Sequence, residues 1–94
     1  MYQPQVIRIR CKDGYYTRTA LAHPCGLSYH QQGQEYVVTH LATGKLVLEN
    51  SLATERQVRG WIRLLRPLCD WWYLDIGEDL EDAIYNAWKK ARNL

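Results

Sequence analysis

The sequence holds no phenylalanine, one methionine, three prolines and three cysteines. It has no apolar run near the roughly 18 residues that a membrane span needs. Its opening residues, MYQPQVIRIR, lack the apolar stretch of a signal peptide. A membrane-spanning or secreted form is therefore not expected. Cys11, Cys25 and Cys69 cannot all pair within one chain. Without a secretory signal they read as reduced thiols, and the expected compartment is cytoplasmic. Repeats, low-complexity tracts and linker-like stretches are also missing, so 94 residues are expected to form one domain spanning 1–94.

Signatures of catalysis are missing too. There is no G-x-S-x-G, P-loop or G-x-G-x-x-G. Cys25 and His30 are close in sequence, but a thiolate–imidazole pair needs a third group to orient the ring. No carboxylate or amide is spaced to do so. His23, Cys25, His30 and His40 are ligand types for zinc. However, no second cysteine stands near Cys25, and Pro24 separates it from His23. Asp70, Asp75, Glu78, Asp79, Glu81 and Asp82 do not follow the spacing of a cation-binding loop. The expectation is a protein that is not an enzyme and carries neither metal nor cofactor.

What is present is a 47% hydrophobic chain with four Trp and seven Tyr, enough for a small core. The net charge is +2, unevenly laid out. Residues 1–69 hold nine Lys/Arg against four Asp/Glu, and residues 70–94 hold three against six. The acidic excess at the start of the last helical pattern, with Lys89, Lys90 and Arg92 near its end, complements a helix dipole.

Period-two alternation over Val6–Lys12 sends Ile7, Ile9 and Cys11 one way and Arg8, Arg10 and Lys12 the other. Asp13-Gly14 then predicts a type I′ turn, with Tyr15–Ala22 returning so that Arg10 faces Thr17 and Ile7 faces Ala20. His23–Gln34 shows no period and reads as a loop. Glu35–Leu41 and Lys45–Glu49 read as a second hairpin joined by Ala42-Thr43-Gly44. Thr54-x-x-Gln57 is a capping box ahead of Val58, Trp61, Ile62 and Leu65 at helical spacing, with Pro67 as the stop. Cys69–Ile76 reads either as a short fifth strand or as an aromatic loop. A last helix from Glu78 or Asp79 carries Leu80, Ile84, Ala87, Trp88 and Ala91 on one stripe. The fold class is α+β: a four-stranded antiparallel sheet of two hairpins, covered on one face by two C-terminal helices. The helices are expected on the Ile7/Ile9 face, leaving the Arg8/Arg10/Lys12 face wet.

Two features point to binding. Adjacent Trp71 and Trp72 in an extended segment face opposite ways, so one of them is expected outside, where indoles are common binding anchors. With Tyr73, Arg59 and Arg63 they form the candidate protein-contact site, for another protein or a second copy. The leading expectation is thus a small accessory module acting through protein contacts. The alternative is nucleic-acid binding through the helix row Arg56, Arg59, Arg63 and Arg66 and the strand face Arg8, Arg10 and Lys12 with Tyr15. On the expected sidedness those two basic surfaces lie on opposite layers, which counts against a single groove.

Overall fold

The computed structural model describes residues 1–73 and 78–94. Four strands, β1 (Gln3–Cys11), β2 (Gly14–Ala22), β3 (Leu27–Gln32) and β4 (Glu35–His40), form one antiparallel sheet in the order β1-β2-β3-β4. Helix α1 (Glu55–Leu65), a 3₁₀ turn (Arg66–Leu68) and helix α2 (Glu78–Ala91) follow. The radius of gyration is 12.1 Å, close to the roughly 12 Å of one domain of this length. The α+β class and the four-stranded antiparallel sheet are as expected, but three details differ.

The first is the turn. The link of the β1–β2 hairpin is Lys12-Asp13, with Cys11 opposite Gly14. A type I′ turn at Asp13-Gly14 needs positive φ at both residues. Among the described residues no non-glycine takes positive φ, while Gly14 sits at +128° as the first residue of β2. The register therefore moves by two: Arg8 faces Thr17, Arg10 faces Tyr15 and Ile7 faces Arg18. A shift of two keeps each side chain on its expected face.

The second is the partner strand. β3 lies within the expected loop, and Leu27–His40 is the second hairpin. Leu27, Ser28, Tyr29 and His30 are all buried, so the strand has no polar face and no period two. Lys45–Glu49 is not a full strand. It touches β4 through a single bridge at Leu46, and the chain next returns at Leu52 opposite Tyr36. Six residues lead from Leu46 to Leu52 against three from Tyr36 to Thr39, so the register slips and the ladder breaks. Cys69–Tyr73 is bend and turn rather than strand, and the remainder of that segment lies outside the described residues.

The third is sidedness. Pairing places Leu21, Tyr29 and Val38 on one face. That face packs with Val58, Trp61, Ile62 and Leu65 of α1 and Ile84, Ala87 and Ala91 of α2 in the main core. By register, Arg8 and Arg10 belong to this same face, and Ile7 and Ile9 to the other. The helices thus cover the face opposite to the expected one. Ile7 and Ile9 are nonetheless buried, in a smaller cluster with Ala20 and Leu41. The sheet curls to make this possible: the Arg10 N–H donates to the Gly44 carbonyl at 2.7 Å, joining the outer edge of β1 to the segment after β4. Ile7 and Ile9 are covered by their own sheet rather than by helices.

Local signals for the helices hold. Gln57 N–H donates to Thr54 Oγ1 at 3.1 Å, and Thr54 N–H donates to Gln57 Oε1 at 3.2 Å. This satisfies the open helix start reciprocally. α1 ends at Leu65, with Pro67 in the 3₁₀ turn. The Trp61 indole N–H donates to the Ile84 carbonyl at 3.2 Å, tying the helices together.

Candidate functional site

The histidines and cysteines do not converge. Among the described residues no group of three or more His, Cys, Asp or Glu is placed to hold a metal ion. His40, fully buried, bonds Thr43 Oγ1 through Nδ1 at 2.9 Å and the Trp71 carbonyl through Nε2, so it ties β4 to the Trp71 turn. His23 accepts from the Cys25 backbone N–H at 3.0 Å and not from its thiol. Burial pushes the Cys25 thiol above its ordinary range, which disfavours the thiolate that nucleophilic chemistry requires. His30 is buried, with neither ring nitrogen hydrogen-bonded among the described residues. Burial, and then the Arg18 charge, lowers its pKa, which keeps the ring neutral near pH 7.

The arginine row is exposed at Arg56, Arg59, Arg63 and Arg66, with Arg66 in the 3₁₀ turn rather than in α1. Arg59 is held in place. Its Nε donates to Tyr29 Oη at 2.7 Å, and its guanidinium lies 4.9 Å from the Tyr2 ring centroid and 5.6 Å from that of Tyr29. Tyr29 in turn donates to Glu55 Oε2 at 2.8 Å, and Glu55 is 3.6 Å from Arg59 Nη2. Burial is the main reason that the Tyr29 hydroxyl is pushed up to about 12; it acts here as a neutral donor and acceptor. At the other end of the row, Arg66 Nη1 lies 3.4 Å from His23 Nε2.

The strand face is also exposed. The Arg8 guanidinium lies 4.2 Å from the Tyr15 ring centroid. Arg10 is on the same face, while Lys12 sits in the turn. Tyr2, against Arg59, starts the chain into β1, and Arg8 follows six residues later, roughly 20 Å along the strand. The helix row and the strand row are therefore on one side of the sheet, not on opposite layers.

The two adjacent indoles separate as expected. Trp71 is buried, and its indole N–H donates to the Leu65 carbonyl at 2.8 Å; it belongs to the core and not to a contact surface. Trp72 is 46% exposed and Tyr73 87% exposed. Trp72 is fixed by its indole N–H donating to the Pro24 carbonyl at 2.7 Å. It lines a cleft of about 200 Å³ with Met1, Gln3, His23, Pro24 and Leu41 among its walls.

Three features escape sequence reading. Tyr2, Tyr29 and Glu55 anchor Arg59, but β3 has to be assigned before Tyr29 can be placed there. A cleft of about 300 Å³ opens where β2 and β3 part, lined by Arg18, Thr19, His30, Tyr36 and Glu55 among others. Arg18 Nη2 crosses that gap to the Gln31 carbonyl at 2.6 Å. Among the described residues, no helix is long and apolar enough to cross a membrane. No family model, curated protein or solved structure matches the chain.

Proposed function

We propose that this protein is a small non-enzymatic binding module that acts through protein contacts, with Trp72 as its anchor. The observation that carries this reading is an indole left half in water yet immobilised by the Pro24 carbonyl. A large aromatic already held in one position loses little freedom when a partner covers it, which is what favours aromatic anchors at interfaces. The adjoining cleft, with Met1 and Leu41 on its walls, offers further apolar area. Tyr73 extends the exposed aromatic surface, and Arg59 and Arg63 stand on α1 as polar contacts. The free thiols Cys11, Cys25 and Cys69 suit a reducing, cytoplasmic setting.

The test compares retention of partners from the native host by the wild type and by Trp72→Ala, at about 0.1 and 0.5 M salt. Trp72 is outside the core, so the substitution leaves the fold intact. The reading expects a partner retained at both salt concentrations by the wild type and lost by the variant. Trp61 and Trp71 are buried and Trp88 is half-buried. Acrylamide quenching therefore reports chiefly on Trp72, and partner binding should suppress it.

One observation favours a second reading, nucleic-acid binding: Arg59, Arg63 and Arg66 share a side of the sheet with Arg8, Arg10 and Tyr15. Retention that collapses at high salt and is unchanged by Trp72→Ala would select this reading, because phosphate contacts release counterions.

A further inference from the structure

The β1–β2 hairpin has a property set by its register alone. In an antiparallel pair, residues alternate between exchanging both backbone hydrogen bonds and pointing both groups outward. A two-residue link makes its closing pair, here Cys11 and Gly14, a bonded one. Alternation then turns the N–H and C=O of Arg10, Arg8, Val6 and Pro4 outward on β1. On β2 it turns those of Tyr15, Thr17, Thr19 and Leu21 outward. Two independent facts agree with this phase. The Arg10 N–H does point outward, to Gly44, and proline, which has no N–H to offer, occupies an outward position at Pro4.

On β2, Leu21 is paired with Tyr29, but among the described residues no ladder pair joins Gly14–Ala20 to β3. The outward groups of Tyr15, Thr17 and Thr19 thus form an open strand edge, and all three residues are exposed. β3 does not share this openness at Gln31. There the carbonyl that a continued ladder would give to β2 is taken by Arg18 Nη2. At the inner end of this edge, beside Arg18 and Thr19 where β3 leaves β2, lies the cleft of about 300 Å³.

We propose that the edge of β2 from Tyr15 to Thr19 is a docking site for an extended, acidic segment of a partner protein, which adds a strand to the sheet. The backbone supplies the affinity, as in other strand additions, and charge supplies the choice of partner. Arg8 and Arg10 project on one face of the hairpin and Arg18 on the other, with Lys12 at its tip and Asp13 as the sole acidic residue between Gln3 and Ala22. A carboxylate on one face of an incoming strand meets Arg18 of β2 itself, and one on the other face lies across Tyr15 and Thr17 from Arg8 and Arg10 of β1. A second copy of this chain is disfavoured, because antiparallel pairing of two β2 edges about Thr17 sets the two Arg18 side chains diagonal to one another and two basic hairpins side by side. The site is separate from the Trp72 cleft and does not depend on the reading built on it.

Amide hydrogen exchange on the full chain tests this directly, with an eight-residue peptide of alternating Glu and Val as the probe. In the free protein the amides of Tyr15, Thr17 and Thr19 exchange fast, while those of Tyr16 and Arg18, bonded to β1, are slow. Saturating peptide slows the first three at least tenfold, and a proline-interrupted peptide does not. Thr17→Pro, which removes one outward N–H, weakens peptide binding at least tenfold. Thr17→Val, which keeps it, binds as the wild type does, and so does Trp72→Ala. Slow exchange at Tyr16 and Arg18 in the proline variant verifies that its hairpin is intact; if it is lost, Thr19→Pro is read instead. The proposal is overturned if the three amides stay fast under saturating peptide or if both proline variants bind normally. It is overturned equally if the amides are slowed by raising protein concentration alone, which would mean self-pairing. Perturbation of the hairpin by a single-stranded oligonucleotide in place of the peptide, without amide protection, would also overturn it and assign the face to nucleic acid.

Discussion

The two hairpins of this sheet have the same topology and opposite surroundings. β3 and β4 are buried on both faces where they meet, by the helices on one side and by the curl of the sheet on the other. β1 and β2 are longer, and apart from Ile7, Ile9 and the last residues of β2 they are exposed. The difference teaches that one sheet can divide its work. One hairpin carries the core and the other carries backbone and charge into solvent.

Substitutions can break or sharpen that contrast, and the largest effect belongs to the buried half. Trp61→Ala removes a fully buried indole and its bond to Ile84; a loss of about 3–5 kcal/mol is expected in urea unfolding. Val6→Ala, on the exposed hairpin, is expected to change stability by less than about 0.5 kcal/mol. Equal losses at the two positions would abolish the distinction.

The next effect lies at the seam between the halves. Gly44 has φ +75°, and a Cβ there would sit 2.9 Å from the Arg8 carbonyl oxygen. Gly44→Ala combines an unfavourable backbone region with a backbone clash, and a loss of about 1–3 kcal/mol is expected. It should come with faster exchange of the Arg10 amide.

The smallest effect is one of pH. His30 lies where β2 and β3 part, and its pKa is lowered in the fold, first by burial and then by Arg18. The unfolded chain therefore binds a proton more readily than the folded one. Stability is full above the ordinary histidine value of about 6.5 and falls as pH drops below it toward the folded pKa. His23 is lowered as well, again mainly by burial, and adds to the fall. His30→Val should flatten the decline between pH 7 and pH 5 without removing it, as measured by urea midpoints across that range.

What was legible in the sequence follows the same division between local and distant causes. The Thr54/Gln57 capping box, the stop at Pro67 and the α2 stripe depend on neighbours a few residues away, and each could be read directly. β3 could not. Its Ser28 and His30 face the interior of the curl, so polar residues stand where alternation would demand apolar ones. The side that the helices cover does not follow from the sequence, because Ile7 and Ile9 have the pattern of a sheet face awaiting helices, whereas the sheet buries them itself. That inversion matters for the surface: it brings the α1 arginines and Arg8 and Arg10 to one side. Separate fates for Trp71 and Trp72 followed from two-residue periodicity, although the segment is a turn. Arg59 was legible as exposed, but its attachment to Tyr29 was not, because that contact joins residues thirty positions apart.

The hydrogen bond from Arg10 to Gly44 is where the outer strand is fastened to the rest of the molecule. A fastening made at one peptide group, on a residue that tolerates no side chain, behaves like a clasp. A bulky replacement would wedge it open, expose Ile7 and Ile9 to water, and turn a folded hairpin into a sticky flap while leaving the helical half standing.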